Sequence, residues 1–97
     1  MNWIQNYSEF YEFLAKLLLC APDDFPEEDY LDKDNQLNLQ RAYEELNKSL
    51  VFVEKHINDK NKFELIKNDL AASKKAYECG NEKEGAFLIQ KIRRELA

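Results

Sequence analysis

Hydrophobic side chains recur along this chain at alternating steps of four and three, the spacing that places them on one face of an α-helix. Trp3, Tyr7, Phe10, Leu14, Leu17 and Ala21 keep that rhythm first. Pro22 ends it, because proline has no N–H for the helical ladder and pushes the residue before it out of helical geometry. A second stripe runs through Leu39, Tyr43, Leu46, Leu50, Val53 and Ile57, with Asp34 or Asn35 placed to cap its start. A third holds Phe63, Ile66, Leu70, Ser73 and Tyr77, opened by Asn61 with Glu64 as a capping box and closed by Gly80. The fourth opens at Asn81 with Glu84 three residues on, and carries Gly85, Ile89, Ile92 and Leu96. Lys91, Arg93 and Arg94 near its end suit the negative pole of the helix dipole.

The pattern predicts helices over about 3–21, 35–58, 62–79 and 82–96. Short connections at 58–61 and 80–81 make the last three run antiparallel to their neighbours. The expected fold is all-α: a compact antiparallel four-helix bundle forming one domain over 1–97. Only the connector over 22–34 is long, and Pro26 followed by two glutamates can start a single helical turn within it.

Composition narrows the classes further. Two glycines and two prolines in 97 residues leave too little turn chemistry for a sheet sandwich or barrel. With 14 basic and 19 acidic side chains the chain carries −5 at pH 7 and repels phosphate backbones, so no nucleic-acid partner is expected. The apolar run Phe13–Ala21 is too short to span a membrane, is interrupted by Lys16, and follows Glu9 and Glu12 where a secretion signal needs positive charge. A cytoplasmic protein with no membrane partner is therefore expected, its Cys20 and Cys79 reduced and in or near the core.

The acidity is regional. Residues 22–34 hold seven acids against Lys33 alone, a local charge of −6, which leaves +1 on the other 84 residues. Phe25, Tyr30 and Leu31 sit inside this run. It reads either as a solvated loop pinned by an apolar residue, or as a recognition patch in which carboxylates steer a basic partner and aromatics supply contact area. Two more features bear on partners. Apolar side chains cover roughly 220° of the first helix, where a bundle helix needs little more than 100°, so that helix is either central or in contact with another chain. Phe52 and Phe87 each lie off the stripe of their own helix, covered by neighbours or free for a homodimer or docking contact.

No motif for catalysis, cofactor or metal survives inspection. Asp32-Lys33-Asp34-Asn35-Gln36 begins like a calcium loop, but Leu37 replaces the turn glycine and Tyr43 stands where the bidentate glutamate belongs. Gly80 and Gly85 have the glycine spacing of a phosphate loop, yet Ala86 and Phe87 replace its lysine and hydroxyl residue. His56 is the only histidine, which excludes paired Glu-x-x-His di-iron motifs, and its place at the end of the second helix is explained by the dipole. The expectation is a protein that is not an enzyme and has no catalytic residue, cofactor or metal.

Two resemblances add to this reading. Ala76 to Ala86, with Gly80 and Asn81 at the turn and Gly85 beyond it, resembles the turn between the two helices of a tetratricopeptide repeat. The likeness implies a tightly packed hairpin over 63–96 in which Gly85 allows close approach. As a class, the small acidic helical chain with acids and aromatics on one surface resembles bacterial immunity and antitoxin proteins, including those of the nuclease colicins. That resemblance implies a non-enzymatic inhibitor of a basic toxin such as a nuclease. The residues expected to meet the partner are Asp23, Asp24, Phe25, Glu27, Glu28, Asp29, Tyr30 and Asp32, with Phe52 and Phe87 as further apolar contacts. The alternative is a helical adaptor or chaperone, dimeric or not, that uses the first helix, Phe52 and Phe87 to hold an apolar segment.

Overall fold

Asn6 sets where the first helix begins. Its side-chain oxygen accepts the Glu9 N–H at 2.9 Å, and the Glu9 carboxylate accepts the Gln5 N–H at 2.7 Å, so donors that a helix start leaves bare are satisfied from both directions. The computed structural model describes residues 3–21, 25 and 36–97. It places α1 over Tyr7–Cys20, α2 over Leu39–Lys48, α3 over Leu50–Ile57, α4 over Lys60–Glu78 and α5 over Glu82–Leu96. The described residues are all-helical, with no strand among them.

Three expectations change. The first helix starts at Tyr7, not near residue 3: Trp3 lies ahead of the Asn6 cap, half-buried on the core, with the Lys16 ammonium 4.9 Å from its ring. The second helix is not continuous over 35–58 but is divided at Ser49, so the described residues form five helices rather than four. Ser49 Oγ donates to the Glu45 carbonyl at 2.7 Å, while its N–H is shared between the Glu45 and Leu46 carbonyls at 3.2 Å each. Serine bonding back by one turn competes with the ladder and bends helices. Ser49 sits at φ −92°, ψ 0°, and its own carbonyl takes the Phe52 N–H three residues on, the tighter bonding of a 3₁₀ turn. Third, α4 is capped by Asp59, whose side chain accepts the Lys62 N–H at 3.1 Å, not by Asn61. The suggested caps Asp34 and Asn35 and the turn at Pro26 lie outside the described residues; Asn38 caps α2, accepting the Arg41 N–H at 2.8 Å.

The other ends follow the sequence. Ala21 bonds back to Leu17 at 2.9 Å and then turns extended before Pro22. Asn81 caps α5 by accepting the Glu84 N–H at 3.3 Å. At the end of α4 the Gly80 N–H donates to the Tyr77 carbonyl and the Asn81 N–H to that of Ala76, with Gly80 at φ +83°, the pair of bonds that closes a Schellman turn. A β-carbon on Gly80 meets nothing within 4 Å, so only backbone strain opposes one. Gly80→Ala is expected to cost about 1–2 kcal/mol, read from a urea melt; an unchanged midpoint would show that the turn relaxes out of the left-handed region.

The core answers the question posed by the wide apolar arc of the first helix. Helix α1 packs against α2, α3 and α5, and Phe10, Leu14 and Leu17 are fully buried among Tyr43, Leu46, Val53, Ile66, Leu70, Ile89 and Ile92. It is a central helix. Helices α4 and α5 make the most extensive pairing, and a β-carbon on Gly85 would lie 2.6 Å from the Tyr77 ring. The two helices touch where the glycine stands.

Candidate functional site

Among the described residues, Ser73, Tyr43 and two acids are buried polar groups with structural partners. Ser73 Oγ donates to the Gly85 carbonyl at 2.8 Å, and the Tyr43 hydroxyl lies 2.6 Å from the same Ser73 oxygen. A serine has one proton to give, so with that proton on Gly85 the Tyr43 O–H is the donor to Ser73. Helices α2, α4 and α5 are thus joined by one relay. Burial pushes the Tyr43 phenol far above its ordinary value of 10.0, with the Tyr77 and Glu78 charges adding to the rise. The two buried acids each face a lysine: Glu45 lies 3.3 Å from Lys48 Nζ, and Asp69 lies 3.3 Å from Lys91 Nζ across the α4/α5 hairpin. The paired oxygens, Glu45 Oε1 and Asp69 Oδ2, have no aligned hydrogen bond, so charge rather than directional bonding holds them.

His56 is exposed in the last turn of α3 and stacks on Tyr7, ring centroids 3.6 Å apart and planes 12° from parallel. Tyr7 in turn donates its hydroxyl proton to the Leu96 carbonyl at 2.8 Å. One tyrosine of α1 therefore ties the ends of α3 and α5, and burial with the nearby Tyr11 raises its pKa. Among the described residues no group of three His, Cys, Asp or Glu side chains is placed to hold a metal, and no helix is long and apolar enough to cross a membrane. Cys20 and Cys79 are free thiols; Cys20 is half-buried, whereas Cys79 is exposed and outside the core that the sequence suggested for it.

Of the residues expected to meet a partner, Asp23, Asp24, Glu27, Glu28, Asp29, Tyr30 and Asp32 lie outside the described residues. Phe25 is half-buried and packs on the core, and Leu37, beyond the far end of the acidic run, is buried. The two off-stripe phenylalanines separate. Phe52 is half-buried against the core, whereas Phe87 is 51% exposed on the outer side of α5. Leu19, at the end of α1, is 83% exposed.

Sequence reasoning missed one arrangement. Tyr11 of α1 and Arg93 of α5 meet with the guanidinium 4.7 Å from the ring centre, on the wall of an open cleft of about 330 Å³ that Leu18, Gln90, Arg94 and Ala97 also line. Arg93 and Arg94 had read as partners of the helix dipole, and no local spacing links them to a tyrosine so distant in the chain. Comparison with known proteins supplies no relative: no protein-family model matches the chain, and neither a curated protein nor a solved structure matches it.

Proposed function

We propose that this chain is a non-enzymatic binding protein of the immunity or antitoxin kind, which neutralises a basic toxin such as a nuclease in the cytoplasm through its acidic aromatic run. The observation that carries this reading is the segregation of charge: −6 on residues 22–34 against +1 on all the rest. Carboxylates gathered in this way steer a cationic surface to fast, salt-sensitive association, and aromatics beside them supply desolvated contact. The half-buried Phe25 within the run and the buried Leu37 just beyond its end support it, since both pack on the helical core. The scaffold in this reading is a four-helix bundle in which α2 and α3 act as one helix bent at Ser49.

A second reading, an adaptor for an apolar segment, draws on the exposure of Phe87 and Leu19. The two separate in one experiment. Purified from its native host at low ionic strength, the tagged chain is expected to carry a basic protein that leaves as salt rises to about 0.5 M, where the screening length falls to a few ångströms. A chain in which Asp23, Asp24, Glu27 and Glu28 are changed to lysine is expected to carry none. A partner that survives both salt and charge reversal, but is lost with Phe87→Ala, would replace the first reading with the second.

A further inference from the structure

The cleft between α1 and α5 joins two kinds of surface that complement one kind of ligand. Arg93 and Arg94 form no ion pair among the described residues, although the cleft is flanked by both. Arg93 is also held. Its guanidinium lies over Tyr11, and its Nε is buried without an acceptor. A guanidinium fixed in this way has lost its rotamer freedom before any ligand arrives, and its planar fork matches a carboxylate in geometry. The Gln90 amide adds a neutral donor and acceptor to the same wall.

The apolar half follows from the register of the two helices. Tyr7 meets Leu96, Tyr11 meets Arg93, and Leu18 and Gln90 share the cleft wall. The helices therefore run antiparallel, with Arg93 near the height of Tyr11 and the end of α1 level with the first turn of α5. Leu18, half-buried, is the aliphatic part of the cleft wall and stands toward the opposite end of it from the two arginines. A free phosphate or another small anion has no use for such a shoulder.

We propose that this cleft binds an acidic peptide segment of a partner protein, one carboxylate taken by Arg93 and Arg94 and a nearby large apolar side chain of the same segment resting on Leu18. The site does not depend on the role given to residues 23–32, since it has the opposite charge and would take a different partner. Lys91 serves as the internal control, because its ammonium is occupied by Asp69.

Isotope-labelled protein titrated with the synthetic peptide Glu-Glu-Phe-Glu-Glu-Leu-Glu should show saturable amide shifts confined to Gln90, Arg93, Arg94, Tyr11 and Leu18. Arg94→Gln, an exposed change that leaves the fold intact, should weaken binding severalfold, and Arg93→Lys, which keeps charge but removes the fork, by about tenfold. Lys91→Gln should leave the affinity within about twofold. The proposal is overturned if no saturable shift is seen at millimolar peptide, if Lys91→Gln weakens binding as much as Arg94→Gln, or if inorganic phosphate displaces the peptide at equal concentration.

Discussion

Gly85→Ala is expected to destabilise the protein by about 1–3 kcal/mol, even though alanine is the better helix former by about 1 kcal/mol. The added methyl would lie 2.6, 2.7 and 2.9 Å from Cδ2, Cε2 and Cγ of Tyr77. These atoms include the root of the ring, which cannot swing aside as the tip of a flexible side chain could. Tyr77 is itself buried, so making room means parting α4 from α5. That separation also loosens the Ser73 bond to the Gly85 carbonyl, at 2.8 Å the link between the hairpin's two helices. Denaturant melts with an unchanged slope would give the loss directly. The ring is identified as the cause by repeating the change with Tyr77→Leu, where Gly85→Ala should cost little or stabilise. If the cost is the same in both backgrounds, the close approach is not its origin.

Ser73→Ala is expected to cost more than Tyr43→Phe, about 1–3 kcal/mol against about 1 kcal/mol. The order follows from the direction of the relay. Removing the serine oxygen leaves the buried Tyr43 O–H with no acceptor, whereas removing the tyrosine oxygen leaves Ser73 still donating to Gly85. Alkali gives a second measure of the same network. Burial raises the Tyr43 pKa well above 10.0, so its contribution to stability is complete below pH 10.0 and is lost as pH climbs beyond it. There the unfolded chain releases a proton that the native one keeps. Tyr43→Phe should therefore flatten the fall of stability above pH 10. It should not abolish that fall, because burial also raises Tyr7 and Tyr77. Equal costs for Ser73→Ala and Tyr43→Phe, with an unaltered alkaline limb, would reverse the assignment of donor and acceptor.

Much of this architecture is written locally. Asn81 with Glu84 at its third helical position, Pro22 after Ala21, and Gly80 at a left-handed turn all act on residues within a few positions, so spacing alone locates them. The break at Ser49 is invisible to the same reasoning. Leu46, Leu50 and Val53 carry the stripe straight through it, and the serine's bond to Glu45 bends the chain without moving an apolar side chain off its face. Asp59 and Asn61 are both competent caps. The choice falls to Asp59 because Asn58 takes the left-handed conformation at φ 58° and delivers the chain to the helix at that point. Ser73 was legible as a core position but not as a hydrogen-bonded one, since both partners come from other helices.

The candidate surfaces divide in the same way. Phe52 and Phe87 carry the same signal in sequence, an aromatic off its stripe, and differ only in what the rest of the fold lays over them. The acidic run is plain from composition alone. The Tyr11–Arg93 contact has no local sign at all, because it joins the first helix to the last.

The helix ends on either side of that run have a consequence for how such a protein can change. Helix α1 stops through Ala21 and Leu17, and α2 starts through Asn38 and Arg41, so each boundary is secured by residues on its own side. Substitutions in the sequence of residues 26–35 therefore leave both caps in place, and Phe25 and Leu37 remain packed on the core. If the acidic run is the recognition segment proposed above, scaffold and segment can mutate at different rates without either unmaking the other.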